Sequence, residues 1–145
     1  MKKIIIAVLA LFSLGIAEAQ IKITETHKKS ETVCSGAFGW NTLDRIEVEG
    51  TYYYFLTLTS DNRFDKSYSI LLGEKKDALT SLTIFVDNFS PDNSFTCKDA
   101  NGNPFRLHAQ NLMGEKRYAV KMDGYAGYAY LRLMDIRKFI RALTE

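Results

Sequence analysis

A chain of 145 residues, 46% of them hydrophobic, has the size of one domain and enough apolar content to give it a core, and it is too short for two domains. Its formal net charge is only +2, with both signs spread along the chain. That argues against the clustered basic face that nucleic acid calls for, and against electrostatic docking on an anionic lipid surface.

The first twenty residues, MKKIIIAVLALFSLGIAEAQ, place Lys2 and Lys3 before an apolar run from Ile4 to Ala17, followed by the small-residue pattern Ala17-Glu18-Ala19. This order reads as a secretory signal peptide over residues 1–19. At 14 residues the run is shorter than the ~20 that a membrane-spanning helix needs. Leu14-Gly15-Ile16 is not followed by the cysteine of a lipoprotein anchor. The expected product is exported, periplasmic or secreted, with no membrane span, and forms a single domain over residues 20–145. Loss of Lys2, Lys3 and Glu18 brings its formal charge to +1.

Along that domain, apolar and aromatic residues recur at 46, 48, 52, 54, 56 and 58, with Arg45, Glu47, Glu49 and Thr51 on the opposite parity. The period is two, which predicts a strand, either kinked at Gly50 or divided there into two. SDNRFDK (60–66) is a turn cluster and SYSILLG (67–73) a returning strand. The period then changes. Ala78, Leu82, Phe85 and Phe89 step by four, three and four, predicting an amphipathic helix that Pro91 cannot continue. Strands are expected near 94–98, 104–112, 116–122 and 126–132, with DANGN (99–103) and MGE (113–115) as hairpin connections. Asn101-Gly102 carries the signal of a two-residue turn. Ile136, Phe139, Ile140 and Leu143 form the stripe of a closing helix. No internal repeat is visible. The expected fold class is α+β: one antiparallel sheet of about six or seven strands with both helices packed on one face, each burying its stripe there.

Cys34-Ser35-Gly36 resembles part of the Asp-Cys-Ser-Gly motif of the papain-like peptidoglycan endopeptidases, over three residues. The resemblance implies a Cys34 nucleophile served by a histidine, and His108, 74 residues later, is the downstream candidate. Val33 stands where that motif has Asp, and Gly36, Gly39 and Thr42 make the next stretch a poor helix. His27, Cys34, Cys97 and His108 are zinc-ligand types but lack the tight spacing of local pairs, and Asp99, Asn101 and Asn103 open a calcium-like loop that Pro104 and Gln110 break. Phe89 of the Asn88-Phe89-Ser90 glycosylation triplet is wanted by the helix stripe. No metal and no cofactor is expected. Two cysteines in an exported domain are most simply a disulfide, Cys34 to Cys97.

The remaining signal is aromatic. Tyr52 and Tyr54 share parity with the expected core, whereas Tyr53 and Phe55 fall on the other face and Trp40 lies in the GAFGW loop. Exposed Tyr and Trp mark recognition surfaces. The leading expectation is therefore a non-enzymatic exported domain that binds a protein or glycan through Trp40, Tyr53 and Phe55. The alternative is a cell-envelope hydrolase using Cys34 and His108. Export itself is checked by mass spectrometry: the secreted product should match residues 20–145, less one ammonia if Gln20 cyclises, and a full-length membrane-retained chain would overturn the leader assignment.

Overall fold

The computed structural model describes residues 30–145; the leader over 1–19 and His27 lie outside the described residues. The described chain runs through strands β1 (Glu31–Ser35), β2 (Asn41–Val48), β3 (Thr51–Leu58) and β4 (Tyr68–Gly73), helix α1 (Lys75–Asp87), strands β5 (Ser94–Lys98), β6 (Pro104–Leu112), β7 (Glu115–Met122) and β8 (Ala129–Arg132), and helix α2 (Leu133–Thr144). A short 3-10 turn, Ala37–Gly39, separates β1 from β2.

The fold is α+β, but the strands form two antiparallel four-stranded sheets, β1-β2-β3-β4 and β5-β6-β7-β8, instead of the single sheet expected. After α1 the chain starts a new ladder at β5. The β4 edge is taken by the β5–β6 turn, where Ala100 N donates to Leu71 O at 2.8 Å and Leu71 N to the Asp99 carboxylate at 3.4 Å. A covered edge does not accept another strand. The same turn is the expected connection over 99–103, built on five residues and not on the two-residue form that Asn101-Gly102 signals. Lys98 pairs with Pro104, leaving five residues between, and the buried Asp99 carboxylate takes the amides of Asn101 and Asn103. Burial pushes that carboxyl above its ordinary range, against the pull of these amide donors. Each sheet is a meander followed by a helix, so the topology repeats a unit that the residues do not.

Both sheets turn their inner faces, with both helices, onto one core: Leu43, Leu56 and Ile70 from the first sheet, Phe105, Leu107 and Val120 from the second, Leu82 and Phe85 from α1, and Ile136 and Phe139 from α2. Two buried tyrosines cross between the halves. Tyr68 of β4 donates to Gly127 O in the β7–β8 loop, and Tyr118 of β7 donates to Phe85 O of α1 at 2.6 Å.

The β2–β3 hairpin decides which aromatics face that core. Glu49 (φ 52°) and Gly50 (φ 83°) form a two-residue turn with positive φ at both positions, a conformation glycine adopts without cost. Even residues of β2 therefore pair with odd residues of β3, Ile46 with Tyr53 and Val48 with Thr51. Parity reverses across the turn. Leu43, Tyr54, Leu56 and Leu58 point inward, while Ile46 and Val48 join Tyr53, Phe55 and Leu71 on the outer face. Ala100 packs against Leu71, Tyr53 and Phe55 there. On the same face the Asp44 carboxylate accepts the hydroxyls of Thr42 (2.9 Å) and Thr57 (2.6 Å). The outer face of the first sheet is thus largely occupied.

The packing predicts which truncations the fold feels most. Phe85→Ala and Phe139→Ala each remove a ring that is almost wholly buried, and each is expected to cost about 3–5 kcal/mol in urea unfolding. Tyr118→Phe, which removes the hydroxyl that Phe85 O accepts, is expected to cost about 1–3 kcal/mol. Unfolding midpoints equal to the parent's would mean that the helices do not supply this core.

Candidate functional site

Among the described residues the outer face of the second sheet is open, and its composition follows from strand alternation. Inward go Leu107, Tyr118, Val120 and Leu131; outward go Arg106, His108 and Gln110 of β6, Arg117, Ala119 and Lys121 of β7, and Tyr130 and Arg132 of β8. The register sets His108 and Tyr130 on either side of Ala119. A methyl group between two large rings leaves a hollow of about 180 Å³, walled by His108, Gln110, Tyr128 and Tyr130. The rings are held in place. Arg117 lies 4.1 Å over Tyr130 and donates to Gln110 Oε1 at 3.2 Å, and the Tyr130 hydroxyl donates to Asp61 at 3.1 Å. Lys121 lies 5.6 Å from the Tyr128 ring centre. Contacts of this cation and ring type contribute about 0.5–1 kcal/mol at exposed sites.

Beyond Tyr130 and Arg117 a second cleft, of about 240 Å³, opens between β7, β8 and the 3-10 turn. The turn that borders it is entered at Gly36, where a Cβ would stand 2.8 Å from the Asp135 carboxyl group, so only glycine lets the turn approach α2 this closely. Asp135, 3% exposed, is held by Arg132 through Nη2 (2.9 Å) and Nε (3.2 Å), and the Ala37 amide donates to it at 3.4 Å. Arg132 also lies 3.6 Å from Glu115. Asp135 above all raises the Arg132 pKa. Asn41, 4% exposed, donates from Nδ2 to Tyr130 O at 2.6 Å, while its buried Oδ1 receives no donor among the described residues.

The mouth of this cleft is aromatic. Phe38 is 87% exposed and Trp40 65%, with ring centres 5.7 Å apart. Phe38 also holds φ 58°, a left-handed conformation that costs a bulky residue about 1–3 kcal/mol. An exposed ring kept at unfavourable φ serves no core. Strained, exposed residues of this kind cluster where a protein meets its ligand.

Of the residues singled out from sequence, Trp40 stands at this cleft. Tyr53 and Phe55 lie on the first sheet's outer face, half-buried against Leu71 and Ala100, and the structure does not bring them to Trp40's site. Asn41, Glu115, Arg117, Arg132 and Asp135 carry no motif that marks them in the sequence. The alternation Arg117-Ala119-Lys121 and Tyr128-Tyr130-Arg132 holds the readable part of that signal. The expected disulfide is absent, and both cysteines are free. Cys34 sits on β1 opposite the core residue Leu43, and Cys97 on β5 opposite Phe105, so the two belong to separate sheets, whereas the expected pairing had placed both in one. His108 faces outward from the second sheet and bonds Ser94 Oγ at 2.7 Å, while the hydrogen bond drawn from Cys34 Sγ goes to Ser35 O at 4.0 Å. Among the described residues no three of His, Cys, Asp and Glu are placed to hold a metal ion, and no helix is long and apolar enough to cross a membrane.

Burial pushes the Cys97 thiol up to about 12, and the residue is 0% exposed, so almost no thiolate exists at pH 8. Thiol titration of unreduced protein should find two groups after denaturation and no more than Cys34 before it. Zero groups in the denatured chain would restore the disulfide.

No family model, no curated protein and no solved structure matches this chain, which leaves the chemistry of the site as the guide to its function.

Proposed function

We propose that the chain is an exported, non-enzymatic binding module that recognises its partner on the outer face of the second sheet and the adjoining Phe38–Trp40 turn. The observation that carries this reading is the continuity of the surface. Exposed Phe38 and Trp40, the cleft behind them, the Tyr130 ring under Arg117 and the Ala119 hollow form one tract whose polar groups are already fixed by the fold. Pre-organised aromatic and arginine side chains are the usual anchors of recognition surfaces, because little conformational entropy is lost when they bind. Export rests on the leader sequence.

The alternative, a cell-envelope hydrolase using Cys34 and His108, needs a base within hydrogen-bond reach of the nucleophile. The bonds these two side chains make lead to Ser35 and Ser94, on different sheets, and lend that reading no support.

A photo-crosslinking amino acid placed in the full chain at Trp40 or Tyr128 should give adducts in the producing cell. The same group at Tyr52, exposed on the first sheet, should give none. Blank lanes at 40 and 128, or equal yield at 52, would overturn the assignment of the surface.

A further inference from the structure

Resting on that reading of the surface, we infer that the 240 Å³ cleft is a subsite for one ring of a neutral, hydroxyl-rich glycan. The first ground is Asn41. Its Nδ2 is committed to the Tyr130 carbonyl, which fixes the orientation of the amide, and its Oδ1 is buried in the wall of the cleft with no donor among the described residues. A buried acceptor without a partner costs about 1–3 kcal/mol, and a ligand that donates a hydrogen bond removes that cost.

The second ground is charge. Glu115 and Asp135 balance Arg117 and Arg132 around the cleft, so the formal charges that line it cancel. It presents the Glu115 carboxylate as acceptor beside the Arg117 and Arg132 guanidinium donors, with Asp135 buried behind Arg132. A sugar hydroxyl both donates and accepts, which suits such an alternation better than a group of one polarity.

Third, the exposed Phe38 and Trp40 rings give the apolar C–H face of a pyranose a surface to lie on. The volume falls just below the ~300 Å³ at which ordinary small-molecule sites begin, which suits one ring. The Ala119 hollow shares the Tyr130 wall with this cleft and continues the track, so the ligand is a chain rather than a free monosaccharide.

Trp40 is the chain's single tryptophan, and its emission therefore reports from the mouth of the cleft. The mature protein should be titrated with cellobiose, maltose and N,N′-diacetylchitobiose, and with glucuronic acid as the charged comparison. At least one neutral disaccharide is expected to give a saturable change in emission, and glucuronic acid a weaker one. Asn41→Ala and Phe38→Ala should each weaken that binding about tenfold or more. Phe38 is exposed, so its variant keeps the test sound if Asn41→Ala fails to fold. No saturable response to any of the three, an unchanged response in Phe38→Ala, or tighter binding of glucuronic acid would each overturn the inference. Crosslinks at 40 and 128 with silent sugars would sink the glycan alone and point to a protein partner; blank crosslinks as well would sink the surface with it.

Discussion

Tyr118 is the residue on which the two halves of the molecule depend. Its ring is fully buried, its hydroxyl donates to Phe85 O of α1, and Phe85, Phe89 and Phe95 meet it edge-on with ring centres at 6.4, 5.3 and 6.4 Å. A phenol in such surroundings must find a hydrogen-bond partner, and the one it takes belongs to the other half of the chain. Burial raises its pKa, so the hydroxyl stays a donor well beyond neutral pH. Tyr68 makes the reverse connection to Gly127. Two meanders that could each have formed a separate layer are thereby joined in one core.

The open face follows from the same constraint. With Tyr118 and Val120 directed inward, Arg117, Ala119 and Lys121 have only the outer side of β7 available. The first sheet has no comparable freedom, because the β5–β6 turn lies against Leu71 and the aromatics beside it. One sheet is covered by a loop of the other, and the uncovered sheet carries the charged and aromatic tract.

Much of the fold is legible because it is written in local periodicity. The helices at Lys75–Asp87 and Leu133–Thr144 and the strands from Ser94 to Met122 fall within a residue or two of where the alternation puts them. The illegible part is long-range. Division into two sheets depends on where β5 lands after α1, and no spacing records that. Period alone misplaces Tyr53 relative to Ile46, because the two-residue turn at Glu49-Gly50 reverses the parity between them. The cysteine pairing rests on compartment chemistry, which says nothing about which sheet each residue joins. At the candidate site Trp40 is visible as an unplaced aromatic. Asn41 and Asp135 become significant only when β2 and α2, almost a hundred residues apart in sequence, meet at Gly36.

The place of α2 in the chain governs how the protein can be made. Ile136, Phe139 and Leu143 bury themselves against strands that all precede them in sequence. The eight described strands therefore leave the ribosome, or any export channel, before the helix that seals them. Until then their inner faces are without part of their cover, and contacts between β1 and α2 close a very long loop, which makes folding slow and exposes strand edges to wrong pairing. Completion of the fold is thus tied to the arrival of α2, after the described strands. The cleft shares that timing, since its Asp135 floor rides on the same helix and comes into being only when the core does.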